Sequence, residues 1–391
     1  MRVTLSAIKA DVGSIGGHTR PSDRMLAEAK RRVDSAIGTL LLDGMVTYTG
    51  DDIALLMSHV HGSAANVVHQ FAWDCFLSVS HIADEEGCYG AGQDLLVSAP
   101  SGNVRGAGPG VAEIDFERDA VNADRPAEAF AVFTADKCSP GAFNLPLYLA
   151  FCDPMHNGGL LLNPRMHKGF TLGIIDMDYK GESGHGDRVI RLNVPERAWD
   201  VAALIQNIDR FAIESIWSRH AADEQVVSMS ATRLHNIAGK YTGKDDPIAI
   251  VRTQGIFPAP EEIIEPYLIT PFVTGDARGS HVMPLLPMPI NSALNGPYCH
   301  PIVSAVAFSM DTSGRFTHNF VDLFDGPAWE EARRRSQQKA LEMRSQGFFG
   351  AAMAGVTEIA YTGLVDTHET LNAEFRIRSD AVSAEPAEAQ S

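Results

Sequence analysis

The chain has 391 residues, 45% hydrophobic and 21% charged, enough for one large domain or two ordinary ones around a packed core. Its 49 acidic against 32 basic residues leave a net charge of −17, which argues against nonspecific binding to nucleic acid or an anionic membrane and suits a soluble enzyme; metal bound at carboxylates would offset part of that charge. Five scattered cysteines (Cys75, Cys88, Cys138, Cys152 and Cys299) without a C-x-x-C pair speak against a disulfide scaffold or a zinc site. The start, Met1 to Ser6, lacks the apolar core of a signal peptide, and no window reaches membrane-spanning length, so a reducing cytoplasm is the expected compartment.

Residues 2–11 alternate as a strand, with Val3, Leu5 and Ala7 on one face, and end at Lys9-Ala10-Asp11. The glycine-rich loop that follows, Val12 to His18, lacks the spacing of a dinucleotide fingerprint. Pro21-Ser22-Asp23 then opens a helix with Met25, Ala29, Val33 and Ile37 spaced by fours. Residues 46–60 read as a strand broken at Gly50-Asp51-Asp52, and residues 64–86 as a helix with Val67, Phe71, Cys75 and Val79 along one stripe.

Two loops follow, Gly87 to Asp94 and Ser101 to Gly110. The second frees backbone N–H groups to face an anion, or is a plain flexible connection. Residues 129–135, 168–178 and 187–194 read as strands, the first running into Ala135-Asp136-Lys137. Pro195-Glu196 suits the first turn of a helix over 195–219.

Gly239 to Pro247 then places Lys244, Asp245 and Asp246 where a loop enters a buried strand, Ile248-Ala249-Ile250-Val251. Residues 300–310 make another strand, and 327–346 a charged amphipathic helix whose Arg333-Arg334-Arg335 face water. The tail from 379 offers little to bury and is expected to be disordered. Long strands mixed with four long helices predict one α/β or α+β domain over 1–378, with helices covering sheet faces. Three strand ends bearing Asp, two of them doubled, suit hard-cation chemistry on oxygen ligands, although each acid pair taken alone also reads as a solvated turn.

The ordered set Lys9-Ala10-Asp11 with Gly16-Gly17-His18, Gly50-Asp51-Asp52, Ala91 to Leu96, Gly102 to Gly106, Ala135-Asp136-Lys137, Tyr241 to Pro247 and Arg278 to His281 resembles the fructose-1,6-bisphosphate aldolase/phosphatase family. These are bifunctional gluconeogenic enzymes of archaea and deeply branching bacteria, and the resemblance runs to about Tyr361. It implies a layered sandwich of two β-sheets between helical layers, several Mg²⁺ ions and an octamer of identical chains. It also implies two reactions in one pocket on phosphosugar substrates. The first is condensation of dihydroxyacetone phosphate with glyceraldehyde 3-phosphate through a lysine Schiff base; the second is removal of the 1-phosphate to give fructose 6-phosphate.

By the same resemblance, Lys244 is the Schiff-base lysine, and Tyr241 and Tyr361 transfer protons. Asp11, His18, Asp51, Asp52, Gln93, Asp136, Asp245 and Asp246 match the metal positions. His18, Tyr89, Asn103, Lys137, Gln254 and Arg278 match positions that contact sugar and phosphate, with Arg278 suited to forked contact with phosphate. An amine forms an imine only when unprotonated, and the carboxylates beside Lys244 favour its ammonium. Metal at those aspartates, or movement of the loop, would relieve this.

The last third departs from the family. Asn295-Gly296-Pro297-Tyr298 stands where an aspartate is usual, Met283 to Pro289 is less polar, and Gly347 to Met353 replaces a stretch with proline, histidine and arginine. Such losses near a phosphosugar site suit a changed substrate, or neutral change on outer loops. Two other readings stay open: a relative using the same lysine and metals on a different phosphorylated carbon skeleton, and an idle subunit that only binds phosphosugars. The intact lysine, tyrosine and aspartate set argues against idleness.

Overall fold

The computed structural model describes residues 1–95, 108–117, 128–179, 187–221, 224–230, 246–274, 282–294, 300–317, 319–345 and 364–378. Its first strand sets the architecture. In β1 (Arg2–Asp11), Val3, Leu5 and Ala7 point one way and Ile8 and Ala10 the other, and both sets are buried. A strand apolar on both faces must lie inside a sheet covered on both sides. Here β1 is central in a four-stranded antiparallel sheet with β2 (Asp43–Thr49), β3 (Asp52–His59) and β4 (Gly110–Glu117), in the order β2-β3-β1-β4.

Ile8, Ala10 and Val12 pack beneath α1 (Asp23–Ala36) and α2 (Asn66–Glu85), against Met25, Ala29, Val33, Cys75, Phe76 and Val79. Helix α1 starts where expected because the Ser22 hydroxyl accepts the Met25 N–H at 3.2 Å, satisfying a donor the first turn leaves open. Val3, Leu5 and Ala7 instead meet Phe130, Val132, Ile248 and Ile250 of a second sheet.

That second sheet has ten strands. At its heart are β5 (Glu128–Asp136), β10 (Ile248–Thr253) and β14 (Ile302–Met310). It continues on one side through β9 (Gln225–Met229), β8 (Phe211–Ser218), β6 (Phe170–Asp176), β7 (Arg188–Val194) and β16 (Arg376–Ile377). On the other side β13 (Leu286–Pro287) and β15 (Val321–Asp322) border β14. A separate ribbon pairs β11 (Phe272–Thr274) with β12 (Val282–Pro284).

The outer face of the large sheet is covered by α3 (Asn144–Cys152), α5 (Ala198–Ile205) and α7 (Pro327–Arg344), through Phe151, Val201, Leu204 and Trp329. Short helices α4 (Gly158–Leu162) and α6 (Pro260–Ile264), and α8 (Leu364–Asn372), complete that layer. The result is helices, sheet, sheet, helices: the layered α/β sandwich expected. No helix among the described residues is long and apolar enough to cross a membrane.

Two expectations are corrected. Residues 195–219 do not form one helix: α5 has eight residues, a turn follows, and Phe211–Ser218 is strand β8, held between β6 and β9. The long helices therefore number three among the described residues. On α2 the buried stripe is Val68, Ala72, Cys75, Phe76, Val79 and Ala83, while Val67 is 51% exposed, so the stripe is turned by about one residue from the Val67-Phe71 line.

Candidate active site

The acidic strand ends converge. Asp11 closes β1 and lies opposite Asp52, the first residue of β3. Asp51 sits in the turn between β2 and β3, where Gly50 takes a positive φ of 59°. From the other sheet, Asp136 ends β5 and Asp246 precedes β10, whose Ile248 pairs with Thr134. The two sheets are joined at this end by a 2.6 Å hydrogen bond between the Thr49 and Thr134 hydroxyls. Gly50 is required here: a Cβ at that position would lie 1.6 Å from Asp136 Oδ2, so only glycine lets that carboxylate reach the turn. The Asp51 N–H donates to the same oxygen at 3.3 Å.

Two adjacent triads result. Asp11, His18 and Asp51 each offer a ligand atom with all three within 4.8 Å of one another, as do Asp52, Asp136 and Asp246. Lys137 links them, its ammonium contacting Asp51 and, at 2.8 Å, Asp136 Oδ1. The Asp136 contact is an ion pair off the hydrogen-bonding axis, for Oδ1 makes no hydrogen bond. His18 Nδ1 is 2.9 Å from Asp51 Oδ2. Asp246 is held by its own N–H to Cys138 O at 2.7 Å and by Oδ1, which accepts the N–H groups of Lys137 and Cys138. Lys137 and Asp246 both adopt left-handed φ values, 62° and 55°, the kind of local strain that gathers at functional sites.

The electrostatics are lopsided. Asp11, Asp51, Asp52, Asp94, Asp136 and Asp246 are all buried, against the ammoniums of Lys9 and Lys137. Burial, reinforced by neighbouring carboxylates, pushes Asp11 and Asp136 well above the usual carboxylate range. Asp52 rises to about 7, burial and the charges of Asp246 and Asp51 outweighing Lys9. For Asp51 burial acts upward, yet Lys137 and His18 together pull it below the usual range. Burial likewise opposes the Lys137 charge, but Asp136, Asp51 and Asp246 hold that ammonium well above its usual value.

A site this rich in buried anions calls for cations. Asp52 Oδ1 is a direct sign of it, a buried carboxylate oxygen with no hydrogen-bond partner. Carboxylate oxygens with one imidazole and a nearby amide are a donor set that fits hard divalent ions, so the acidic clusters could hold metal.

The Asp51-Asp52 pair is thus not a solvated turn: Asp51 is 0% exposed and Asp52 1%. Of the other expected residues, Gln93 stands beside Asp11, its amide donating to Asp11 Oδ2 at 3.1 Å. The Tyr89 ring, half exposed, meets the His18 ring edge-on at 4.8 Å and forms a rim. Gln254 is not brought to this cluster within the chain: it follows the far end of β10, eight residues beyond Asp246, or about 26 Å at strand rise. Asn103, Tyr241, Lys244, Asp245, Arg278 and Tyr361 lie outside the described residues. Sequence reasoning missed Lys9, which pairs with Asp52, and Asp94, whose Oδ2 accepts the Asp11 N–H at 3.0 Å. The period-two spacing of Lys9 and Asp11, and the place of Asp94 after Gln93, were the available signals.

Fold and site together define a layered α/β protein built around a carboxylate-rich centre whose acidic clusters could hold metal. The chain belongs to the fructose-1,6-bisphosphatase family, whose profile matches residues 2–376. It is 50% identical over 375 residues to a protein of Thermus thermophilus named fructose-1,6-bisphosphate aldolase/phosphatase, covering 96% of this chain and 100% of that one. It is 45% identical to a protein of the same name from Cenarchaeum symbiosum, covering 92% and 91%, and 40% identical to one from Ignicoccus hospitalis, covering 96% and 93%.

Proposed function

We propose that this protein is a Mg²⁺-dependent fructose-1,6-bisphosphate aldolase/phosphatase. It joins two triose phosphates through a Schiff base on Lys244 and then removes the 1-phosphate of the product. The observation that carries the reading is the pair of adjacent triads linked by Lys137, one of two buried aspartates with His18 and one of three buried aspartates, in a chain of this family. Asp11, His18, Asp51 and Gln93 would hold one part of the ion cluster, and Asp52, Asp136, Asp245 and Asp246 the other. Bound Mg²⁺ supplies Lewis-acid polarisation of the phosphoryl group and acidifies a water.

The chain's own residues supply the rest. The Lys244 amine adds to the carbonyl of dihydroxyacetone phosphate and loses water to give the imine, an electron sink for the carbanion that attacks the aldehyde. Tyr241 and Tyr361 move the protons of that step. Lys137, buried between Asp51 and Asp136, would be the cation that meets phosphate oxygens, and Tyr89 and His18, whose rings meet edge-on, would contact the substrate. Asn103, Gln254 and Arg278 are assigned to sugar and phosphate by the family resemblance. An octamer in the cytoplasm, serving gluconeogenesis, belongs to the same reading.

The experiment has two arms. Purified protein with Mg²⁺ and fructose 1,6-bisphosphate should release phosphate. Borohydride with dihydroxyacetone phosphate should trap an adduct on Lys244, and Lys244→Arg should abolish trapping and condensation while sparing some phosphatase activity. Trapping on another lysine, or none in a protein that releases phosphate, would sink the aldolase half.

A further inference from the structure

Strand β2 is the edge of the four-stranded sheet, so the outward main-chain groups of Tyr48 and Gly50 have no strand neighbour on that side. Residues 290–294 take that place. The Asn291 N–H donates to Tyr48 O at 3.0 Å, and the Tyr48 N–H donates to Asn291 Oδ1, also at 3.0 Å. Two residues on, in the turn that follows β2, the Gly50 N–H donates to Ser292 O at 2.9 Å. Asn291 stands at φ 60°, a left-handed backbone that asparagine adopts far more readily than most residues. That conformation lets its main chain and side chain engage the same residue.

The segment is anchored at both ends. The Ile290 N–H donates to Asp322 Oδ2 at 2.8 Å. Beyond Ser292, the Leu294 N–H donates to Thr19 O at 2.8 Å, next to His18, and the Leu294 side chain is buried. A five-residue strap therefore holds both the turn that carries Asp51 and Asp52 and the loop that carries His18.

We infer that Asn291 is a positioning residue for the cation centre. A turn built on glycine is soft. Asp136 Oδ2 holds it from inside, and Asn291 and Ser292 hold it from the sheet edge. Asn291 acts through Tyr48, and by holding the strap keeps Ser292 on Gly50, so that the two aspartates point one way, as partners of metal ligands do elsewhere. This rests on the proposed reading of the centre as a divalent-cation site.

The test uses the full-length, metal-stripped protein and three variants. Binding of Mg²⁺ and Mn²⁺ is measured by calorimetry, and exchange of the Tyr48 and Gly50 amides by hydrogen–deuterium exchange without metal. Asn291→Gly keeps the left-handed backbone and loses the acceptor. It should weaken cation binding about tenfold, the low end for lost ligand support, and speed exchange at both amides. Asn291→Asp keeps the acceptor and should behave as wild type in both. Asn291→Ala, strained as well, should be weaker than Asn291→Gly. Asn291 is exposed, so none of these changes touches the core. Wild-type binding in Asn291→Gly, or an Asn291→Asp as impaired as Asn291→Gly, would overturn the inference. A wild-type protein that binds neither cation would instead overturn the reading of the centre, and the inference with it.

Discussion

A carboxylate's surroundings decide what it can do, and Asp52 is the clearest case in this chain. Its Oδ2 pairs with Lys9, its Oδ1 has no hydrogen-bond partner, and burial with like-charged neighbours holds its pKa near 7. A buried carboxylate with one oxygen left unpartnered is expensive unless a second cation takes that oxygen. Asp52→Asn keeps the shape and removes the charge, and should cut phosphate release at saturating Mg²⁺ by about a hundredfold or more, the upper range for disturbed metal sites. Near wild-type release from that variant would overturn the assignment of Asp52 as a ligand. The aspartates were legible because each stands at or beside the end of a strand, and strand ends aim side chains at a common point. Lys9 was not: a lysine in an alternating strand reads as solvent-facing, and only pairing of β1 with β3 and burial by the second sheet put it beside Asp52. Gln254 shows the converse, since its resemblance to a substrate contact says nothing about which end of β10 it occupies.

Among the elements, the β2–β3 hairpin matters most, because its turn carries two of the acids. Gly50→Ala places a Cβ within 1.6 Å of Asp136 Oδ2 at a φ of 59°. The left-handed backbone alone costs about 1–2 kcal/mol, a modest loss for a protein of this size. The displaced Asp136 is the larger consequence. We expect Gly50→Ala to fold with a melting temperature a few degrees lower, yet to bind Mg²⁺ at least tenfold more weakly, by the scale of lost ligand support. Calorimetry beside a thermal melt separates the two effects, and undiminished binding would show that the close approach is incidental. The hairpin, β1, α1, β10, β14 and α7 could be read from sequence because local pattern decides them: alternation, a capping serine, a short β-branched run. Strand β8 could not. Its Phe211-Ala212-Ile213 follows a helix within a few residues, and what makes it strand is pairing with β6 and β9, which no local window contains.

Across the whole molecule, the end of β3 away from Asp52 carries a second buried polar group with the opposite response to acid. His59 Nε2 is 2.8 Å from the Ser6 hydroxyl, and its Nδ1 accepts the His61 N–H at 3.3 Å, so the neutral ring donates to Ser6. Ser6 in turn donates to Glu113, which also takes His69 and the Ala64 N–H. Burial, with the nearby His61 and His69 adding to it and Glu113 and Asp115 opposing, lowers the His59 pKa from 6.5 to about 4. Between those values the unfolded chain binds a proton that the folded chain refuses. The contribution to stability is therefore complete above pH 6.5 and is lost as pH falls toward 4. By pH 4.5 the loss is about 2 to 3 kcal/mol, at 1.36 kcal/mol per pKa unit. The raised carboxylates of the acidic cluster act in the other direction, so the slope of the wild type alone is ambiguous. Comparison with His59→Gln removes that ambiguity, because the carboxylates are common to both proteins. His59→Gln should be the less stable at pH 8, and the gap should close by about 2 to 3 kcal/mol by pH 4.5 in urea unfolding. Parallel curves over that range would mean that His59 takes up its proton at the same pH folded and unfolded, and that burial does not hold the ring neutral.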